Sequence, residues 1–250
     1  MITRDELTGY LHELLDVDGF QDGCPNGLQV EGTGEIRCLV SGVTANLPLI
    51  EAAVELGADA LLVHHGYFWK GEEPVVVGMK QRRLKRLLVD DINLLAYHLP
   101  LDAHPVHGNN ARLAGLLEFL PEGTFGGSPA IGLWGRLPAT MDVRRLSDWI
   151  AERLGRAPLV IPAGPSSIET VAWCSGAAQS YLVEAVQMGM DAFITGEVSE
   201  PAVHVAREYG IHLFAAGHHA TERYGVMALG EHLAERFALR HHFIDIDSPL

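Results

Sequence analysis

The chain has 250 residues, of which 48% are hydrophobic and 20% are charged, and its formal net charge is −14. This composition is ordinary for a soluble globular protein of one or two domains, and no apolar run approaches the roughly 20 residues that cross a bilayer. With only 18 Lys and Arg residues, the chain is poorly suited to neutralise phosphates, so nucleic-acid binding is disfavoured. Three widely spaced cysteines and an acidic N-terminus lead us to expect a cytoplasmic protein.

The chain opens with a capping-box pattern from Thr3 to Glu6, which predicts an amphipathic first helix. A loop is expected from residue 16 to 34. Short apolar strands then alternate with helices, which is typical of a parallel or mixed sheet covered by helices. The predicted strands are 38–43, 60–63, 93–97, 131–137, 159–161, 170–174, 192–195, 213–216 and 243–246, and the predicted helices lie near 47–56, 79–89, 108–117, 142–154, 179–188, 201–209 and 221–237.

A stretch rich in Gly and Pro, residues 121–129, is the best candidate for a boundary. It predicts two lobes, 1–124 and 125–250. Residues 55–63 and 187–195 share a pattern in which a helix ends at Gly, a turn holds Asp-Ala, and a buried strand follows. The repeat predicts two similar, pseudo-symmetric α/β lobes with a metal site between them. The alternative is that helix-to-strand connections simply look alike.

Two imidazoles, His64 and His65, stand at the end of the apolar run 61–63. Neutral imidazole is the commonest metal ligand, and ligands collect at the carboxyl ends of strands in open α/β sheets. Neighbouring residues on a strand point to opposite faces, so both can serve one site only if the chain turns there. Gly66 would permit the turn. The alternative is a pair of surface histidines on a loop.

A second cluster begins at His98 and continues to Asp102, His104 and His107. A strand that breaks at Pro100 would present Asp102 from a loop, where a carboxylate can bridge two cations. His98 is a candidate partner that orients a ligand or transfers a proton. We expect His104 and His107 to have loop or surface roles.

Asn109 and Asn110 follow this cluster directly. The preferred interpretation is that they cap the next helix, and the alternative is that they bind substrate.

The third cluster runs from His218 to Glu222, again after an apolar strand. Residues four apart on a helix share a face, so His218 and Glu222 form a candidate chelating pair. His219 points elsewhere and is a candidate for proton transfer. An ordinary surface pair is the alternative.

The five candidate ligands are too many for one tetrahedral catalytic ion with an open position. They suit two ions that share Asp102, with Glu222 as a second candidate bridge. Two ions about 3.5–4 Å apart can hold a bridging hydroxide and polarise the bond that it attacks. Imidazole and carboxylate ligands without thiolate fit Zn, Mn or Fe equally.

At these residues the chain resembles the YbgI-type, or Nif-three-like, family of GTP cyclohydrolase 1 type 2 homologues. The resemblance runs nearly end to end, and its most specific blocks contain the two His-His pairs. The matching segments are 25–31, 41–45, 58–72, 98–105, 108–110, 191–197 and 217–222.

The resemblance implies two metal ions held by five residues and a ring-shaped homohexamer of two-lobed α/β subunits. The implied ligands are His64, His65, Asp102, His218 and Glu222. For some relatives the implied activity is GTP cyclohydrolase, which opens the guanine imidazole ring with water.

Three hypotheses follow about function. The first is a metal-dependent hydrolase or cyclohydrolase acting on a purine nucleotide or a related small molecule, with His98 or His219 moving protons and Asn26, Gln29 and Lys70 holding substrate. The second is a non-enzymatic, ring-forming protein that binds metal or regulates a partner. DNA binding by a ring is a third, and the acidic charge disfavours it.

Overall fold

A computed structural model describes residues 1–250 of the chain. Helices and mixed sheets alternate along it, which confirms the predicted α/β class. The helices are α1 (Arg4–Leu14), α2 (Leu47–Glu55), α3 (Gly78–Val89), α4 (Leu99–Ala103), α5 (Asn109–Leu117), α6 (Val143–Leu154), α7 (Leu182–Gln187), α8 (Glu200–Tyr209) and α9 (His218–Phe237). None of these helices is long and apolar enough to cross a membrane.

The strands are short, and most of those in the sheet centres are buried along their whole length. They are β1 (Ile2–Thr3), β2 (Gly27–Val30), β3 (Glu35–Ile36), β4 (Cys38–Thr44), β5 (Ala60–His65), β6 (Asn93–Ala96), β7 (Leu120–Phe125), β8 (Gly132–Met141), β9 (Leu159–Ile161), β10 (Ile168–Cys174), β11 (Ala192–Thr195), β12 (His212–Ala215) and β13 (Arg240–Phe243).

The chain forms two compact units, and each is discontinuous in sequence. The first comprises Met1–Leu101 and Gly225–Ile246, and the second comprises Asp102–Tyr224 and Asp247–Leu250. The chain therefore returns to the first unit along α9. The division into 1–124 and 125–250 stays a prediction, and the Gly- and Pro-rich stretch on which it rested forms most of β7 and the turn after it.

The first unit is built on a five-stranded sheet in the order β13-β4-β5-β6-β2. Its first four strands are parallel, and β2 is antiparallel to β6 at the edge. Alternate residues of β5 face opposite sides: Leu62 packs toward α1 and the later turns of α9, whereas Leu61 packs toward α2 and α3. Burial on both faces explains why these strands read as continuous apolar runs.

The second unit contains a six-stranded sheet in the order β7-β8-β10-β11-β12-β9. Strands β10, β11 and β12 are parallel, and the other pairings are antiparallel. One face is covered by α5 and α6, and the other by α7 and α8. Both units are thus three-layered, with helices on either side of a mixed sheet.

The two sheets share a common unit of four strands, which agrees with the repeat in the sequence. The order β4-β5-β6-β2 corresponds to β10-β11-β12-β9, with an antiparallel edge strand in each case. The Asp of each repeat accepts the same kind of hydrogen bonds. Asp59 accepts hydrogen bonds from the backbone N–H groups of Arg37 and Cys38. Asp191 accepts them from the backbone N–H groups of Glu169 and Thr170. Each carboxylate therefore fixes the start of the first parallel strand.

Most predicted elements lie within a residue or two of the observed ones. The larger differences include the strand predicted at 131–137, which extends to Met141 as β8, and the loop expected to present Asp102, which is the short helix α4. The expected loop 16–34 contains β2. The last strand lies at 240–243 and not at 243–246, because the residues that pair with β4 begin at Arg240. The sequence did not predict β2 or β7, because neither strand alternates regularly between apolar and polar residues. Both contain Gly or Pro and lie at sheet edges.

Candidate metal centre

Three imidazoles of the first unit come together where β5 and β6 end. His64 and His65 are the last residues of β5, and His98 follows β6. The ring centroids are 4.6 Å apart for His64 and His65, 5.0 Å for His64 and His98, and 5.6 Å for His65 and His98. Their nitrogens are close enough to hold one metal ion. The two adjacent histidines thus meet, although neighbours on a regular strand would point apart.

The turn after β5 depends on Gly66 for a reason that the sequence did not show. This glycine has no positive φ. A Cβ on it would instead collide with the side-chain amide of Gln29 and the methyl group of Ala96. Gln29 is held there because it accepts the Tyr67 N–H at 2.7 Å and donates to the Tyr67 carbonyl at 3.1 Å. Close packing, rather than an unusual backbone angle, requires glycine at this position.

An oxygen contacts Nδ1 of each of these three rings. His64 Nδ1 lies 3.0 Å from the Tyr97 carbonyl, and His65 Nδ1 lies 3.1 Å from Thr44 Oγ1. His98 Nδ1 lies 2.8 Å from Asp22 Oδ1. A carbonyl or carboxylate can only accept, so in His64 and His98 the Nδ1 atom carries the proton and the neutral ring has its lone pair on Nε2. This is the usual arrangement of a metal-binding histidine.

Asp22, which the sequence did not single out, organises the loop beside His98. Its carboxylate accepts the Leu99 N–H at 3.0 Å and the Asn26 amide at 3.0 Å, in addition to the His98 ring. Burial raises the pKa of Asp22, but hydrogen bonds from His98, Asn26 and Leu99 outweigh it and lower the pKa well below its usual value. The carboxylate therefore stays ionised and holds His98 in place.

The predicted substrate residues lie in or near this loop. Asn26 donates to Asp22 and accepts the His98 N–H at 2.7 Å, while Gln29 binds the Tyr67 backbone. The Lys70 side chain is exposed. Cys24 is buried beside Asp22 and His98, and burial followed by the negative charge of Asp22 raises the pKa of its thiol to about 12. That thiol is protonated at neutral pH.

In the second unit, Asp102 lies at the end of α4 with only 5% of its surface exposed. Its Oδ1 accepts hydrogen bonds from Asn109 Nδ2 at 2.9 Å and Ser175 Oγ at 2.8 Å. Asn110 binds the Ile131 carbonyl at 2.8 Å and accepts the Ser175 N–H at 2.9 Å. The expectation that Asn109 and Asn110 cap α5 is wrong, because Gly108 is the cap residue. The two amides are buried and form hydrogen bonds with Asp102, Ile131 and Ser175.

His218 and Glu222 lie one turn apart at the start of α9, as their spacing predicted. His218 Nε2 is 3.0 Å from Glu222 Oε2, and His218 Nδ1 is 2.6 Å from Glu197 Oε1. Burial lowers the pKa of His218, but Glu222 and then Glu197 more than offset it and raise the pKa to about 9. Two donors bound to one ion at about 2.0–2.2 Å lie about 3 Å from each other, so this pair has a separation that fits a shared ion.

Glycines let the backbone approach this pair closely. Gly176, at φ +65°, lies directly against Glu222 and His218, and a Cβ there would collide with the Glu222 carboxylate. Gly217, at φ +104°, lets the chain turn from β12 into α9 just before His218. The residue types Ser175-Gly176 and Gly196-Glu197 after their strands were the available signal for this part of the site.

The remaining predicted histidines belong to the second unit. His219 donates its backbone N–H to the Leu250 carbonyl at 3.0 Å. His104 Nδ1 accepts the His107 N–H at 2.9 Å, and the two rings stack with centroids 5.2 Å apart. Their role in shaping a loop agrees with the expectation for both residues.

The fold and the imidazole clusters can be compared with known proteins. Residues 2–249 match the family model described as Duf34/NIF3 (NGG1p interacting factor 3). A Pseudomonas aeruginosa protein named "GTP cyclohydrolase 1 type 2 homolog" is 57% identical over 94% of each chain, and an Escherichia coli (strain K12) protein of the same name is 52% identical over 98% of each.

Solved structures are also similar to this chain. One described as "protein ybgI, unknown function" has a TM-score of 0.97 and 51% identity over 100% of both chains. A protein from Thermus thermophilus has a TM-score of 0.91 and 38% identity over 100% of both. HcgD from Methanocaldococcus jannaschii, at 23% identity and a TM-score of 0.84 over 99% of this chain and 98% of its own, shares the fold.

Proposed function

Since this chain belongs to the Duf34/NIF3 family, we propose that it is a dinuclear metal-binding hydrolase of the GTP cyclohydrolase 1 type 2 kind, acting on a purine nucleotide. The name of its relatives supports this substrate class. The chemistry of the imidazoles supports metal binding, because His64 and His218 each have an oxygen at Nδ1, which leaves Nε2 as the nitrogen that would bind an ion.

The proposed ligands come from both units. The first unit supplies His64 and His65, and the second supplies Asp102, His218 and Glu222. They fit a divalent ion because imidazole and carboxylate are the donors that Zn, Mn and Fe share, and because Asp102 and Glu222 are buried carboxylates. When bound, such ions would activate water and stabilise negative charge that develops on the substrate.

The protein's own groups would position water and substrate and transfer protons. Asp22 holds Nδ1–H of His98 and leaves Nε2 as the atom that accepts a proton. His219 is the second candidate for proton transfer, and Asn26, Gln29 and Lys70 are the candidates that contact substrate. Asn26 bonds to Asp22 and to the His98 N–H, and Gln29 bonds to the Pro25 carbonyl and the Tyr67 backbone, which supports a positioning role for both amides.

The proposal is tested by metal content and turnover on the same samples. Protein purified without chelator should retain about two divalent ions per chain and hydrolyse GTP or a related purine nucleotide. The Asp102→Ala variant should lose ions and at least roughly 100-fold in turnover, because each ion is expected to lower the barrier by several kcal/mol. His204→Ala, at an exposed histidine of α8, is the matched control.

Two results would contradict metal-dependent catalysis. Bound metal without turnover of any nucleotide would favour a non-enzymatic, ring-forming metal-binding or regulatory protein. Identical turnover in wild type and Asp102→Ala would exclude the metal mechanism. The homohexamer and the cytoplasmic location belong to the same proposal, and sedimentation of the metal-loaded protein measures the first of these.

A further inference from the structure

The second unit contains a cavity of about 330 Å³ next to Asp102. Its walls come from the loop after α4, the first turn of α5 and the β7–β8 hairpin. Pro105, Pro121, Ile131 and Leu133 make most of the surface apolar. A largely apolar pocket of this size with a few polar groups is the usual form of a small-molecule site.

Hydrogen bonds fix the position of the cavity walls. Asn110 lines the cavity and ties the start of α5 to the hairpin by donating to the Ile131 carbonyl at 2.8 Å. The Trp173 indole also donates to the Asn110 carbonyl at 3.0 Å. On the other side, His104 fixes its own loop by accepting the His107 N–H. The cavity is therefore formed before any ligand arrives, which reduces the entropic cost of binding.

The charge of the lining restricts what the cavity can bind. No Lys or Arg lines it, and its one acidic group is Asp102, which is 95% buried. A phosphate placed inside would lose its hydration, and no Lys or Arg of the lining would compensate its charge. An uncharged flat ring with N–H and C=O groups on its edge fits apolar walls whose polar lining residues are Asp102, His104, Asn110 and Thr124.

We propose that this cavity binds the uncharged base of a purine nucleoside or nucleotide, and that any phosphates stay outside it. The inference rests on the proposed function, because Asp102 would then connect the bound base to the metal ligands. It adds that the protein recognises the ring, so a nucleoside, which has no phosphates, should also bind.

Cavity-filling variants test the proposal. Ala111 is a half-buried residue of α5 that lines the cavity, and Ala111→Leu keeps helix propensity while it occupies the space. Thr124→Tyr fills the cavity from the β7 wall and serves if the first variant folds poorly. Ala151→Leu, at a half-buried position of α6 away from the cavity, is the matched control.

The measurement is calorimetric titration of the metal-loaded protein with guanosine and, separately, with inorganic triphosphate. Guanosine should bind wild type and Ala151→Leu, and its Kd should rise at least tenfold in Ala111→Leu and Thr124→Tyr. Binding of triphosphate should be the same in all four proteins, because the phosphates lie outside the cavity.

Two results would overturn the proposal: no guanosine binding to wild type, or guanosine binding that both filled variants leave unchanged. Metal content, measured on the same samples, reports separately on the proposed function. Full metal content and turnover with unchanged guanosine binding in the filled variants would refute the cavity alone. Loss of metal from wild type would refute the metal centre and leave the cavity to be judged by the guanosine titration.

Discussion

At the scale of single residues, the candidate ligands depend on partners from distant parts of the sequence. Glu197 follows β11 and contacts His218 at the start of α9, and Ser175 follows β10 and contacts Asp102. Asp22 supports His98 in the same way from a loop 76 residues away. Such partners set the tautomer and orientation of a ligand, and their loss typically costs about 10–100-fold in metal affinity.

The contact between Glu197 and His218 gives a prediction about metal affinity. Glu197→Ala should weaken binding of Zn²⁺ or Mn²⁺ by about 10–100-fold, since His218 Nδ1 loses its acceptor. Glu197→Gln keeps an acceptor oxygen without the charge and should lie between wild type and Glu197→Ala. Competition with a chromophoric chelator measures the affinities.

Glu200→Gln, at an exposed position on the first turn of α8, is the control for that experiment. The prediction fails if Glu197→Ala and Glu200→Gln bind metal equally well.

At the scale of secondary-structure elements, the C-terminal part of the chain completes the first unit. The later turns of α9 supply Val226, Leu229 and Leu233 to its core, and β13 pairs with β4 at the sheet edge. His241 on β13 lies 2.7 Å from the buried Ser41 hydroxyl. Its ring also lies against Gly230 of α9, where a Cβ would collide with it. The imidazole therefore packs between β4 of the sheet and α9.

This packing predicts a loss of stability in acid. Burial, with a smaller effect of His242, lowers the pKa of His241 from 6.5 to about 4. Above pH 6.5 the ring is neutral in both the folded and the unfolded chain. As the pH falls from 6.5 toward 4, only the unfolded chain takes up the proton, so the free energy of unfolding decreases. The loss is at most about 3 kcal/mol, and solvent screening of the partly exposed ring reduces it.

The variant His241→Asn should remove this part of the pH dependence. Its free energy of unfolding, measured by urea denaturation, should decrease less than that of wild type between pH 7 and pH 4.5. His204→Asn should follow wild type, because that histidine is exposed. Equal slopes for wild type and His241→Asn would show that the ring does not resist protonation.

At the scale of the whole molecule, the proposed ligand set draws on both units, although each unit has its own sheet and its own core on either face. Metal that binds only the folded chain adds to the free energy of unfolding by mass action. The five proposed ligands are not close in sequence, so an unfolded chain should bind the ions far more weakly.

Removal of metal should therefore lower the thermal midpoint of the protein. With ions at about 1,000 times their Kd the stabilisation is about 4 kcal/mol, and each kcal/mol shifts Tm by about 2–4 °C in a chain of this size. Scanning calorimetry with and without chelator measures the shift, and re-addition of Zn²⁺ or Mn²⁺ should restore it. Asp102→Ala should show a smaller shift than wild type, and an unchanged Tm in wild type would contradict the prediction.

Local patterns in the sequence predicted the fold class and most elements. Apolar runs such as 60–63 and 192–195 predict strands buried on both faces, and the capping box of Thr3 and Glu6 forms at the start of α1 as expected. The Asp-Ala turns at Asp59 and Asp191 indicated a repeat, which the matching order of the two sheets supports. These features are determined locally because hydrophobic periodicity and capping depend on residues a few positions apart.

The tertiary structure alone decided which partners hold each candidate ligand. Nothing near His218 in sequence indicates Glu197, and nothing near Asp102 indicates Ser175. The sequence predicted that Asn109 and Asn110 cap α5, because a capping residue and a buried amide that binds a carboxylate look alike in sequence. Strand ends from different parts of the chain meet only when the sheet forms, and hydrogen bonds between them are therefore set by strand order rather than by sequence distance.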